Sequence, residues 1–221
     1  MTKETKIVTL IISVVVVVLG VGIYFIAKNN NSTPPTSTTA TSADRTAALN
    51  RETPNVRGKL DSKVTVIEFA DMQCPACAST NPAVENLYKA YGDRVKFVFR
   101  HYPLPQHANA VAGADAIEAA AEQGKFWEMV DALYARQPEW ETITDPKPIF
   151  RKIAAEVELD AEKFDKALVT HPHRNRIEQD KTDGSVLGNP GTPTFYVNGE
   201  QVFQGGIQEV KQRIEDALKV K

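Results

Sequence analysis

The chain opens on a block unlike anything after it: from Ile7 to Ala27 it is apolar throughout, save for Thr9, Ser13 and the tolerated Gly20, Gly22 and Tyr24. At about 1.5 Å of helical rise per residue, about 20 such residues cross the hydrocarbon core of a bilayer. Residues 7–27 therefore predict a single transmembrane helix. A cleaved signal peptide is the alternative, but its apolar region runs to about 7–15 residues and ends in a small-x-small site, and residues 21–27 read VGIYFIA. Lys3, Lys6 and the terminal amine precede the run, while Lys28 alone follows it directly. That bias places residues 1–6 in the cytoplasm and the rest of the chain outside. Residues 28–50, rich in Asn, Ser, Thr, Pro and Ala, offer little apolar surface to offset the entropy of ordering, and predict a flexible linker.

Residues 51–221 suit one domain. Val64 to Ala70, VTVIEFA, is β-branched and aromatic and apolar on both faces apart from Thr65 and Glu68, which predicts a buried strand. A helix follows it, with Pro75 in its first turn, a stripe at Val84, Leu87, Tyr88 and Tyr91, a kink expected near Pro82, and Gly92 at its end. Arg94 to Arg100 alternates as a second strand, parallel to the first through a right-handed crossover. Residues 105–188 then read as a helical insertion, with helical patterns over 108–121, 125–136, 148–157 and 161–168. Strand character returns at Thr194 to Val197, turns at Asn198-Gly199 and comes back over Glu200 to Phe203 as a hairpin. A last helix from near Ile207 carries Ile207, Val210, Ile214, Ala217 and Leu218 on one face.

A formal charge of -2 over 221 residues gives no electrostatic footprint for nucleic acid. The cysteine count changes the picture more: there are two, in the run Cys74-Pro75-Ala76-Cys77. No further cysteine is left for a structural bridge, and so short a loop constrains an unfolded chain least, so in an outward-facing protein the pair reads as a working redox couple. Placed at a strand-to-helix junction and open to solvent, Cys74 meets unpaired N–H groups and the positive end of the helix dipole, which lower a thiol pKa and make it the nucleophile. Cys77, one turn on, is expected to be more buried and to act on the mixed disulfide. The competing reading is half of a metal site, because the same spacing serves zinc; His101, His107, His171 and His173 are scattered and offer no obvious completion.

Four stretches, EFADMQCPAC, NPAVENL, FRHYPL and LGNPGTPTFYVNG, occur in the order seen in the DsbA-like branch of the thioredoxin superfamily, which the domain resembles from about Val56 to Leu218. The resemblance implies an α/β, thioredoxin-like fold with an inserted helical domain, and a protein thiol-disulfide oxidoreductase needing no cofactor or metal. It implies that Thr192-Pro193 is the family's cis-proline loop, a substrate-binding element facing the cysteines, and that Glu68 is the buried acid assisting proton transfer at Cys77. The strongly oxidising members carry Pro-His between the cysteines, whereas Ala76 here has no side-chain donor. Oxidase, reductase or isomerase thus stays open, as does a thiol-based metal-binding or copper-delivery module. The partners expected are reduced secreted or surface polypeptides and a membrane-embedded redox protein for reoxidation. Three local alternatives also stand: Glu68 paired structurally with Lys96, His101 satisfying local backbone, and Phe126, Trp127 and Met129 packing in the core rather than lining a peptide groove.

Overall fold

The computed structural model describes residues 40–202 and 206–220. The expected anchor at 7–27, residues 1–6 and the first part of the linker lie outside the described residues; among the described residues no helix is long and apolar enough to cross a membrane. Strands β1 (Val56–Gly58), β2 (Thr65–Ala70), β3 (Lys96–His101), β4 (Thr194–Val197) and β5 (Glu200–Val202) form a sheet in the order β1-β3-β2-β4-β5. β2 and β3 run parallel, with Glu68 opposite Phe99, and the other pairs are antiparallel. The turn between β4 and β5 has Asn198 at φ 48° and Gly199 at φ 84°, the left-handed pair a type I′ hairpin requires.

Helices follow in chain order as α1 (Ser42–Asn50), α2 (Pro75–Tyr91), α3 (Ala110–Ala121), α4 (Phe126–Ala135), α5 (Gln137–Trp140), α6 (Lys147–Glu156), α7 (Ala161–Thr170), α8 (Arg174–Leu187) and α9 (Gly206–Lys219). Because side chains alternate along a strand, β2 serves two layers. Val66 packs with Val84 and Leu87 of α2 and Val210 and Ile214 of α9. Ile67 and Phe69, on the other face, meet Ala48 of α1, Leu187 of α8 and Tyr196. Ala70, at the strand's end, joins Met72, Cys74 and Cys77 to a third cluster built from the insertion, with Leu133, Trp140 and Phe150 fully buried. Each such buried large apolar side chain contributes about 1.5–3 kcal/mol, so the insertion is fastened to the sheet at the cysteines.

Several elements differ from the sequence reading. The linker expected to run to Asn50 gives way to α1: Thr41 caps it by accepting from the Asp44 N–H while Asp44 bonds back to the Thr41 N–H, a reciprocal capping box. α1 stays docked because Arg45 donates to the Leu187 carbonyl at 2.7 Å and Arg51 pairs with Asp180 and Asp183 of α8. α8 itself went unread because its inward face is charged: Asp180 and Asp183 are buried, held by Arg51 and the buried Arg100 of β3. The short β1 and α5 lack a sequence period, and Pro82 sits within α2, which is assigned continuously from Pro75 to Tyr91. The second strand begins at Lys96 rather than Arg94 and extends to His101.

The seam between insertion and catalytic loop is close-packed at Gly113, where a Cβ would lie 2.8 Å from the Met72 Cβ. Gly113→Ala is expected to destabilise the fold by about 1–3 kcal/mol through overpacking, read as a lower urea midpoint with an unchanged slope.

Candidate active site

β2 ends at Ala70 and α2 begins at Pro75, with Cys74 at its N-cap in an extended conformation, φ -72° and ψ 120°. Its sulfur therefore stands beside the first turn of the helix, although its side chain makes no capping hydrogen bond. Pro75 supplies the first turn without an N–H to satisfy. The Asp71–Cys74 loop is held from several sides: Cys74 N–H donates to the Asp71 carbonyl at 3.1 Å, and the Gln137 side chain of α5 donates to the carbonyls of Met72 at 2.8 Å and Cys74 at 3.2 Å. The buried Asp71 carboxylate accepts from the N–H groups of Gln73 and Leu104, both at 2.8 Å, and from His107 Nδ1 at 2.7 Å.

Both cysteines are free thiols, Cys74 6% exposed and Cys77 0%. Cys74 was expected to stand open to solvent; it lies instead just below the surface, with the exposed Pro75 and Ala76 beside it. The Cys77 thiol beside it, more than any other group, pulls Cys74 down from the ordinary thiol range to about 5; burial opposes this, and the Thr192 side chain and the N–H groups of Cys77 and Ala76 reinforce it. Ala76 thus contributes through its backbone what its side chain lacks. Cys77 moves the other way, pushed well up by burial and by the neighbouring Cys74 and Glu68, with the Asp71 N–H opposing. The pair is electrically divided: one sulfur takes the charge and the other keeps the proton.

Thr192-Pro193 is a cis bond, and this loop lies against Cys74. Cys74 Sγ as a thiol donates to the Thr192 carbonyl at 3.3 Å, while the buried Thr192 hydroxyl has no hydrogen-bond partner among the described residues. On ionisation the sulfur becomes the acceptor this hydroxyl lacks. Pro193 is partly exposed and, having no N–H, leaves the loop's carbonyls as its polar face.

Glu68 is 9% exposed, and burial raises it to about 7, with Arg57 opposing and Glu85 adding to the rise. Lys96 is not its partner: the register sets Lys96 opposite Thr65, and the nearby cation is Arg57 of β1. That guanidinium sits between the rings of Tyr88 at 4.1 Å and Trp127 at 3.9 Å and pairs with Glu85 of α2. A cavity of about 10 Å³ separates Arg57 and Glu68, lined also by Val84, Phe97 and Trp127, enough for about one water molecule.

His101 is not at the site; it is buried 2.7 Å from Glu118, which also pairs with Asn55 and Arg176. Phe126 and Met129 are core residues, and Trp127 stacks on Arg57. His171 and His173 are paired with Asp115 and Glu122, and among the described residues no group of three or more histidine, cysteine, aspartate or glutamate side chains converges on a metal position. Asp71, Arg57, Tyr134 and Gln137 were not singled out from sequence. Asp71 was legible as part of the motif run; the other three come from distant segments whose approach only the fold reveals.

The thioredoxin family model matches residues 50–216. Among solved structures, oxidised BdbD from Bacillus subtilis is 27% identical with a TM-score of 0.67, covering 75% of this chain and 92% of its own. A thioredoxin-like oxidoreductase from Silicibacter pomeroyi is 28% identical with a TM-score of 0.63, covering 76% and 95%. Of curated relatives, Na(+)/H(+) antiporter NhaA 3 of Salinispora tropica is 42% identical over 148 residues, 66% of this chain but 22% of that protein; the chain thus spans about a fifth of the length of that relative. The chain belongs to the thioredoxin family, and its fold is that of the DsbA-like thiol-disulfide oxidoreductases.

Two outcomes follow from this geometry. Thiolate absorbance of the reduced protein should titrate with a midpoint of about 5, and in Thr192→Val that midpoint should rise by up to about one unit, the worth of one hydrogen bond. Glu68→Gln should slow reaction at Cys77 by about a hundredfold or more and abolish a rate inflection near pH 7, as followed by stopped-flow exchange with glutathione, while leaving the Cys74 titration in place.

Proposed function

We propose that the protein is a dithiol oxidase, which hands the Cys74–Cys77 disulfide to reduced secreted or surface polypeptides. The observation that carries this reading is the opposite displacement of the two thiols, Cys74 down to about 5 and Cys77 well up. A low-pKa nucleophile stabilises the reduced protein over its disulfide, and that is what makes a disulfide of this fold oxidising. The sign follows by linkage. The depressed Cys74 favours the folded, reduced form fully above the ordinary thiol pKa, and the preference is lost as pH falls through about 5.

The client approaches over the exposed Pro75 and Ala76, where the Thr192-Pro193 loop offers backbone to an extended chain. Its thiolate attacks Cys74 and Cys77 leaves. A second client thiolate then attacks the client sulfur of the mixed disulfide and Cys74 departs, at low cost because it is a stable thiolate. Glu68, half protonated near pH 7, gives and takes the proton at Cys77. Residues 7–27, supported by their apolar length and lysine flank, hold the enzyme at the membrane, with residues 1–6 in the cytoplasm and the catalytic domain outside. There a membrane-embedded redox partner re-forms the disulfide.

The test is equilibration with glutathione buffers. Oxidants of this fold sit near about -120 mV and thioredoxin near about -270 mV; a value on the oxidising side supports the oxidase, and one close to thioredoxin would make the enzyme a reductase.

A further inference from the structure

α5 is only four residues long, Gln137–Trp140, yet it lies directly against the catalytic loop. Both protons of one nitrogen are engaged there: the Gln137 carboxamide donates to the Met72 carbonyl at 2.8 Å and to the Cys74 carbonyl at 3.2 Å. Because each neighbour is an oxygen acceptor, only the amide nitrogen can face them. The two carbonyls bracket Gln73 and Cys74, so one side chain, 4% exposed, spans the backbone that carries the nucleophile. Its own helix is well fixed, since the fully buried Trp140 donates its indole N–H to the Leu133 carbonyl at 3.0 Å and meets Phe150 edge to face. Two more carboxamides secure the segment that leaves α5: Gln73 donates to the Glu141 carbonyl at 2.6 Å, and Asn109 to the carbonyls of Trp140 at 3.0 Å and Ile143 at 2.8 Å. From α4, the Tyr134 hydroxyl donates to the Asp71 carbonyl at 3.3 Å. None of the three carboxamides titrates, so this strap keeps its geometry across the pH range in which Cys74 ionises.

We propose that Gln137 is a positioning residue for the nucleophile: by bridging the carbonyls of Met72 and Cys74, it holds Cys74 in the extended N-cap pose that sets its sulfur between the first turn of α2 and the cis-proline loop. In that pose, at φ -72° and ψ 120°, the sulfur lies 3.3 Å from the Thr192 carbonyl. The bridge also acts electrostatically. A carbonyl oxygen is the negative end of its dipole, and an N–H donated to the Cys74 carbonyl offsets part of that negative potential close to the sulfur. Removing the donor frees the loop to turn and leaves two buried carbonyls short of a partner, and both effects disfavour the thiolate. A lysine or arginine could reach the same oxygens, but it would bring an unpaired charge into a buried site. Gln137 acts through the backbone of Cys74 and exchanges no proton or bond during the reaction.

This inference rests on exchange at Cys74 and is indifferent to the net direction proposed above. Gln137→Met keeps the length of the side chain and removes both donors. Phe164→Leu thins the same core cluster from α7 and leaves the carboxamide in place, so it reports what loss of stability alone does. Each protein is titrated by thiolate absorbance, equilibrated with glutathione buffers and unfolded in urea. Gln137→Met should raise the Cys74 midpoint by about half a unit and shift the glutathione equilibrium about threefold toward the disulfide. Gln137→Asn, whose amide stops one methylene short of the two carbonyls, should do the same and serves if the methionine variant does not fold. Phe164→Leu should lower the urea midpoint with the titration and the equilibrium as in the native protein. A native Cys74 midpoint in a folded Gln137 variant, or an equal rise in Phe164→Leu, would overturn the positioning role while leaving exchange intact. A native disulfide inert to glutathione would instead overturn exchange at Cys74, and the positioning role with it.

Discussion

Everything in the site depends on where one sulfur is held. Cys74 stands at the N-cap of α2, where its side chain makes no capping hydrogen bond of the serine or aspartate kind, but the N–H groups of Cys77 and Ala76 favour its thiolate. This placement accounts for a lowered thiol without any charged neighbour. It also explains how Ala76 can occupy the position between the cysteines without removing the main stabilisation: the donors are backbone groups and the adjacent Cys77 thiol, none of which depends on that side chain.

Holding the sulfur there is a task shared among segments far apart in the chain. Asp71 ties the loop to Leu104 and His107 after β3, Gln137 reaches in from α5, and Thr192 closes on it from the approach to β4. The insertion is thus part of the site's framework as well as a neighbouring layer. Beneath the cysteines, the Arg57 clamp between Tyr88 and Trp127 again joins β1, α2 and α4, and its guanidinium moderates a carboxyl that burial would otherwise raise further.

The elements that bear the chemistry were legible because they follow simple periods: the apolar β2, the stripe of α2 and the Asn198-Gly199 hairpin each satisfy a local rule. What escaped notice did so for physical reasons. α8 buries aspartates against Arg51 and Arg100, so its inward face looks like a solvated one. α1 lies in a polar stretch and is stabilised by a capping box and by docking rather than by an apolar stripe. Glu68 could be picked out from the strand it interrupts and from the resemblance, but not its cation: Lys96 sits on the neighbouring strand in sequence logic, while Arg57 arrives through a three-residue edge strand. Tyr134 carries no signal at all, since one more aromatic on an amphipathic helix reads as packing.

The unequal depth of the two sulfurs bears on the enzyme's kinetics. With Cys77 wholly enclosed and Cys74 barely reaching the surface, a protein-sized partner can join covalently to only one atom of the pair. On the function proposed above, client and reoxidant take turns at the same door, the first leaving before the second enters. Turnover of such an oxidase is ping-pong by construction, and a slow-departing client inhibits recharging simply by occupying the threshold.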